Sequence, residues 1–374
     1  MRVAVIHEWL ASHAGSEKVV EQILQLYPDA DLFSLVDFLS PEQRYFIGHR
    51  TVQTSFIQQL PLAKRIFRQY LPLMPLAVEQ FDLSAYDVVI SSNHAVAKGV
   101  LTAPHQLHVS YVHTPIRYAW DLQHQYLRQA ELEQGVKGVI TRLILHYLRL
   151  WDTTSANRVD RFVANSQFIA KRIWRAYRRP ATVIYPPVDV SRFDWRQPRE
   201  EFYLTVSRFV PYKRVDLTVE TFNRLKLPLV VIGDGSDWQR IKAMAGPTIR
   251  LLGKQPDAVV TDYMQRCKGF IFPAEEDFGI TPVEAQAAGA PVIAFGRGGV
   301  AETVIHGKTG VLFTEQTVES LEQAVKSFDM GMYELNRDNL RHQAEQFSIE
   351  RFHEQFRTCI DQTYTGFLQG NPVE

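Results

Sequence analysis

Short β-branched runs alternate with longer amphipathic stretches from one end of the chain to the other, and this alternation decides which folds are open to it. In the first half the runs are residues 3–6, 31–35, 87–91, 108–112, 161–164 and 182–185; in the second they are 202–207, 229–233, 249–252, 269–272, 291–294 and 311–313. Near-continuous apolar strands separated by helical segments belong to parallel sheets buried on both faces. So many strands would make one very wide sheet, and 374 residues exceed one ordinary core. Two doubly wound α/β halves are the simpler solution. The joint is expected at Pro186-Pro187-Val188-Asp189-Val190-Ser191, where two prolines stop regular structure. The expected domains are residues 1–187 and 188–345. Residues 346–374 carry Ile349, Phe352, Phe356 and Ile360 at helical spacing and are expected to form a helix crossing back to the first domain.

Composition narrows the partners. Lys plus Arg and Asp plus Glu both number 41, so a general nucleic-acid binder with a basic surface is not expected. Cys267 and Cys359 are too few for a disulfide framework or a cysteine-rich zinc site and fit a reducing compartment. Met1 leads straight into an apolar strand, without the ordered parts of a signal peptide. The best candidate span, residues 136–150, is broken by Lys137, Arg142, His146 and Arg149. A cytoplasmic location is expected. Two basic amphipathic stretches also suit the inner face of the plasma membrane. One holds Leu60, Leu62, Ile66, Phe67, Leu71, Leu73 and Met74 with Lys64, Arg65 and Arg68; the other runs over residues 143–150, with Arg142 and Arg149.

In open parallel sheets, ligands bind beyond the carboxyl ends of the strands, where helix N-termini expose N–H groups to anions. Gly15 lies at the turn from the first strand into a helix, where a missing Cβ lets a phosphate approach. Arg208 and Lys213 follow the strand at 202–207, where two cations can neutralise a diphosphate leaving group. The densest segment is Phe272-Pro273-Ala274-Glu275-Glu276-Asp277-Phe278-Gly279-Ile280-Thr281-Pro282-Val283-Glu284. Here a buried strand ends in three carboxylates, followed by a glycine and a helix expected to start with Thr281 as cap and Pro282 at its first position. Carboxylates at such a place suit hydroxyl groups of a sugar or ribose. Metal binding has little support: Asp29-Ala30-Asp31 reads as turn residues, and the twelve histidines show no ligand spacing.

Arg208 with Lys213, Gly233-Asp234-Gly235, the Glu276/Glu284 pair and Gly298-Gly299-Val300-Ala301-Glu302 occur in the order seen in family 4 retaining glycosyltransferases. The chain resembles that family over nearly its whole length. Tyr111-Val112-His113-Thr114-Pro115-Ile116-Arg117-Tyr118-Ala119-Trp120 and Ser91-Ser92-Asn93-His94-Ala95-Val96-Ala97-Lys98-Gly99 look like bacterial mannosyltransferases of O-antigen and exopolysaccharide assembly. The resemblance implies the GT-B fold, two Rossmann-like doubly wound domains facing across a cleft. It implies that Arg208 and Lys213 grip the donor diphosphate and that Gly15 offers it an amide. Glu276 with the amides of Phe278, Gly279 and Ile280 would hold the donor sugar, Glu284 the ribose, and Lys254 would lie near the base. His113 would stand at the anomeric centre, with His94, Arg117 and Tyr118 as acceptor candidates. The family often has paired glycines where this chain has Ala14-Gly15.

The implied activity is retaining transfer of a hexose, mannose from GDP-mannose, to a glycan or polyprenyl-diphosphate-linked saccharide. Neither a metal nor a cofactor is expected. A UDP-sugar transferase of the same family, a nucleotide-sugar epimerase and a silent nucleotide-sugar-binding scaffold are the alternatives.

Overall fold

The alternating runs form two parallel sheets. The computed structural model describes residues 1–370. One unit comprises Met1–Tyr185 with the C-terminal helix from Phe352; the other is Pro186–Arg351. In the first unit the strands are β1 (Val3–His7), β2 (Asp31–Ser34), β3 (Val52–Thr54), β4 (Val88–Asn93), β5 (Leu107–Val112), β6 (Arg161–Ala164) and β7 (Thr182–Val183), in the order β3-β2-β1-β4-β5-β6-β7. Six strands were expected here, and the seventh is β3. It is a three-residue edge strand with two exposed polar side chains, held by parallel pairing to β2. No apolar run marks it, because an edge strand need not bury its side chains.

Strands β1, β4 and β5 are buried at every position, as parallel strands covered on both faces must be. Helix Gly15–Leu26 packs Val19, Val20, Ile23 and Leu24 onto one side of the sheet. The C-terminal helix, Ile349–Leu368, adds Phe352, Phe356 and Ile360 to the same core, with both phenyl rings against Tyr111 at centroid distances of 6.0 and 6.2 Å. Burying two such rings contributes about 1.5–3 kcal/mol each, so this helix is part of the first unit's stability rather than an appendage.

The second unit contains β8 (Tyr203–Val206), β9 (Leu229–Ile232), β10 (Ile249–Gly253), β11 (Gly269–Phe272), β12 (Val292–Phe295) and β13 (Gly310–Phe313), ordered β10-β9-β8-β11-β12-β13. Every pairing in both sheets is parallel. In each sheet the strand order reverses once, between β1 and β4 and between β8 and β11. At such a reversal the connections leave in opposite directions and open a crevice at the carboxyl ends.

Candidate functional site

The reversal in the second sheet places the loop after β8 beside the loop after β11. Lys213 closes the short turn Pro211–Lys213 after β8, and its Nζ forms an ion pair with Oε1 of Glu276, which follows β11. Both side chains are largely buried. Arg208 lies on the same loop and is exposed, and among the described residues no carboxylate pairs with it. Lys254 directly follows β10 and is also exposed.

The Glu276 loop is held by backbone. Gly298 forms a parallel bridge with Glu276, and the Gly299 N–H donates to the Glu276 carbonyl at 2.8 Å. A Cβ on Gly298 would stand 2.3 Å from the Glu276 carbonyl oxygen, and one on Gly299 would stand 2.3 Å from Phe278 Cα. Only glycine permits so close an approach. The glycine pair therefore fixes where Glu276 and the buried Phe278 sit.

The helix start differs from the expected one. It spans Ile280–Ala287 with Gly279 as its cap, at φ +87, so Thr281 and Pro282 lie inside the first turn. Pro282 is tolerated there because the first N–H groups of a helix have no intrahelical partner. The amides of Gly279, Ile280 and Thr281 belong to this unpaired set, at the positive end of the helix. One turn further, buried Glu284 accepts a 2.8 Å hydrogen bond from Nη2 of Arg192, whose Nη1 lies 3.8 Å from Asp257. Both carboxylates of the Glu276/Glu284 pair thus face a cation. Sequence reasoning missed Arg192, because nothing local marks a partner 92 positions away.

The first sheet's reversal gathers a polar cluster that sequence reasoning only half found. His7 ends β1, Glu8 follows it, and Ser92 and Asn93 end β4, with His94 next. Glu8 is fully buried, and its Oε1 accepts the N–H groups of His94, Ala95, Val96 and Ala97 at 2.8–3.1 Å. His94 Nδ1 stands 2.9 Å from Glu8 Oε2. His113 follows β5, and its Nε2 lies 2.9 Å from Ser92 Oγ, whose other neighbour is His7 Nδ1 at 3.1 Å. Glu17 accepts from the Ala14 N–H at 3.1 Å and from Ser16 Oγ at 2.9 Å, and reaches His7 Nε2 at 3.5 Å. His7, Glu8, Glu17 and Ser92 were not singled out. The signal available was a His-Glu pair leaving the first apolar strand.

Burial opposes charge at Glu8, Glu17, His7 and His113, and the partners decide the outcome. For Glu8, burial would raise the carboxyl, but His94, His7 and the backbone amides hold it well below the usual carboxylate range. Glu17 is likewise brought from 4.5 to about 2: burial would raise it, but the hydrogen bond and charge of His7, with the backbone and Ser16, together outweigh burial. Burial would lower His7, yet Glu17 and Glu8 raise it above 6.5. His113 lacks such a partner, and burial, with help from His94 and His7, lowers it to about 3.

These directions set a pH window for the Glu17–His7 pair. Glu17 contributes stability above pH 4.5 that is lost as pH falls toward 2; His7 contributes below pH 6.5 and loses it as pH rises through its raised folded value. Acid unfolding followed by fluorescence should therefore begin at higher pH in Glu17→Gln than in the parent. Identical acid midpoints would refute the pairing.

Gly15 is the first residue of its helix and is exposed, with Ala14 extended as its cap. Arg117 is half-buried with Nε 3.4 Å from Thr114 Oγ1; Tyr118 is half-buried against Tyr126 at 5.9 Å, and burial pushes its phenol up. Asp31 opens β2 and accepts from the Tyr86 hydroxyl at 2.8 Å. Among the described residues no group of three His, Cys, Asp or Glu is placed to hold a metal ion.

Of the two amphipathic stretches, the first breaks into short turns, and its Phe67 and Met74 are core residues. Only part of it, including Leu62 and Leu73, is exposed. The second lies on helix Gly135–Ser155, where Val136, Val139, Ile140, Leu143, Tyr147 and Leu150 are exposed at helical spacing while Leu145 and Leu148 are buried. Among the described residues no helix is long and apolar enough to cross a membrane.

Residues 15–192 match the model for Glycosyltransferase Family 4, and residues 189–347 match that for Glycosyl transferases group 1. The chain belongs to glycosyltransferase family 4. Curated relatives include an uncharacterized glycosyltransferase of Methanocaldococcus jannaschii, 28% identical over 52% of this chain and 54% of that protein. The alpha-1,3/1,6-mannosyltransferase of Schizosaccharomyces pombe is 24% identical over 71% of this chain and 57% of that protein. The chain thus spans little more than half the length of these relatives. Among solved structures, this family 4 chain is similar to the lipopolysaccharide outer core galactosyltransferase WaaB, with TM-score 0.69, 18% identity and coverage of 97% and 99%. HepE of Anabaena, solved with UDP-glucose, gives TM-score 0.69 at 18% identity, covering 97% of this chain and 100% of that one. At such identity the likeness fixes the fold, which is GT-B with two Rossmann-like domains.

Proposed function

We propose that this family 4 glycosyltransferase is a metal-independent, retaining hexosyltransferase that moves mannose from GDP-mannose to a glycan or polyprenyl-diphosphate-linked saccharide. The observation that carries this reading is the Lys213–Glu276 pair beside the Gly279 helix start, at the second sheet's strand reversal. A cation, a carboxylate and unpaired amides at one place suit a diphosphate bearing a hydroxylated sugar. Lys213 and Arg208 would take up negative charge as the nucleoside diphosphate leaves, work otherwise done by a divalent ion. Binding of the phosphate would draw Lys213 from Glu276 and free that carboxylate for sugar hydroxyls. Glu284 would hold the ribose and Lys254 lie toward the base, with Gly15 giving an amide to phosphate. His113 would attend the anomeric centre, and His94, Arg117 and Tyr118 the acceptor. The departing phosphate oxygen can accept the acceptor's proton, so no dedicated base is required.

Mannose is favoured by the mannosyltransferases among the relatives, and UDP-sugars by the UDP-glucose complex of HepE. The exposed apolar stripe on helix Gly135–Ser155, with Lys137, Arg142 and Arg149, suits an anionic membrane that presents a lipid-linked acceptor. One experiment tests these readings together. The protein is incubated in EDTA with labelled GDP-mannose or UDP-hexoses and anionic vesicles carrying a polyprenyl-diphosphate saccharide. Label from GDP-mannose should float with the vesicles. Label from a UDP-sugar only would overturn the donor, and a requirement for manganese would overturn the cation mechanism. Interconversion of donor sugars without acceptor would point to an epimerase, and no turnover of any donor would leave a binding scaffold.

A further inference from the structure

His7, Ser92 and His113 come from three different strand ends, yet their polar atoms form one line. Ser92 Oγ sits between His7 Nδ1 at 3.1 Å and His113 Nε2 at 2.9 Å, and Glu17 Oε1 stands beyond His7 Nε2 at 3.5 Å. Among the described residues nothing hydrogen-bonds to His113 Nδ1. Its Nε2 is engaged by Ser92, its carbonyl accepts from Asn165 Nδ2 at 2.9 Å, and its N–H donates to the Asn93 carbonyl at 2.8 Å. The ring is therefore fixed in place, with one nitrogen committed to the protein and the other available.

A serine hydroxyl has one proton to give, and this makes the line directional. When His7 is protonated it donates through Nε2 to Glu17 and through Nδ1 to Ser92 Oγ. Ser92 then gives its own proton to His113 Nε2, and a neutral His113 must carry its proton on Nδ1. When His7 is neutral, Glu17 keeps the proton on His7 Nε2, and Nδ1 becomes an acceptor. Ser92 then donates to His7 and accepts from His113 Nε2–H, so His113 Nδ1 is left with a lone pair. Among the described residues Ser92 Oγ has no partner other than these two rings, so its proton is spent on one of them, and with Glu17 ionised no other assignment then satisfies all three contacts.

We propose that Glu17, His7 and Ser92 are positioning residues that set the tautomer of His113, so that protonated His7 presents a His113 Nδ1–H donor to an oxygen of the bound sugar. The proposal rests on the reading of His113 as a sugar-contacting residue. The charged and titratable groups facing His7 agree with it: Glu17 on the first helix, Glu8 next in the chain, and His94 and His113 beyond β4 and β5. Burial would lower His7, but Glu17, Glu8 and the Ser92 backbone together raise its pKa, whereas His113 is lowered to about 3 and stays neutral, the state in which tautomer matters. Ser92 Oγ touches the two rings and, among the described residues, no carboxylate, so it passes orientation without adding charge of its own.

The test is two-dimensional ¹H–¹⁵N NMR of the full chain labelled at histidine nitrogens, without substrate, across pH 5–9. His113 should appear as the Nδ1–H tautomer at low pH and change to Nε2–H as His7 deprotonates. Glu17→Gln should move that change to acid by about one pH unit, a tenfold shift in proton concentration. Ser92→Ala should uncouple His113 from His7. An Nε2–H form of His113 at every pH, or a change indifferent to His7, would overturn the proposal. The parent protein alone decides this, even if a variant fails to fold. The pH dependence of sugar transfer is then measured: its alkaline limb should follow the His7 titration and move with Glu17→Gln. A tautomer change in a protein that transfers no sugar would refute the transferase reading and leave the relay standing. Transfer with no tautomer change would do the reverse.

Discussion

Lys213→Ala is expected to lower turnover by ~10²–10³, the loss seen when one preorganised donor to a developing oxyanion is removed. The expectation is specific because the same substitution also leaves Glu276 without its ion-pair partner, next to the place proposed for the diphosphate. An unpaired carboxylate there repels the leaving group, so the loss should fall in kcat as well as in donor affinity. Lys213→Arg keeps the charge and should retain much of the activity, while Glu276→Gln should weaken sugar binding without reproducing the full Lys213→Ala defect. Steady-state kinetics at saturating donor, with circular dichroism to confirm folding, separates these cases. Near-normal turnover of Lys213→Ala would remove the cation from the mechanism.

The largest effect on stability is expected at Asp152. Its carboxylate and Lys98 Nζ are both fully buried and 2.6 Å apart. Lys98 also reaches the Asp152 carbonyl at 3.0 Å and Ser155 Oγ at 2.8 Å. The second carboxylate oxygen of Asp152 accepts from Trp120 Nε1 at 2.8 Å and Tyr177 OH at 3.0 Å. Burial already pulls the Lys98 ammonium down, with Asp152 opposing it. Asp152→Ala would strand that ammonium in the core and should cost about 3–5 kcal/mol, because a buried charge without its partner loses far more than the pair contributes. The double variant Lys98→Met with Asp152→Leu should recover most of the loss. Urea unfolding of all three proteins measures this; a cost below about 1 kcal/mol for Asp152→Ala would show that water reaches the site. Lys98 N–H also bonds Asn93 Oδ1 at 3.0 Å, so the pair anchors the segment that carries His94.

Several parts of this molecule follow from local pattern. A strand buried on both faces must be apolar throughout, so β1, β4, β5, β9, β11 and β12 are visible in the chain as written. Loops at strand ends are equally visible, which is why Arg208, Lys213, Glu276 and Gly279 stand out in the amino-acid sequence. Local signals failed where an element is short or exposed, as at β3, and where two capping rules compete. At residues 279–282 the Thr-Pro pair reads as a helix start, but the left-handed backbone of Gly279 begins the helix two residues earlier.

The pairing of loops lay beyond the sequence. Glu8 meets the amides of residues 94–97 because β1 lies beside β4, and Lys213 meets Glu276 because β8 lies beside β11. Strand adjacency is chosen by the packing of the whole sheet, and no local periodicity records it. The amino-acid order by itself determined which groups stand at the carboxyl ends of the strands. Tertiary structure alone decided which carboxylate faces which cation, and with it the direction in which the pKa values of His7, Glu8 and Glu17 move, because burial and partner distance exist only once distant segments are brought together.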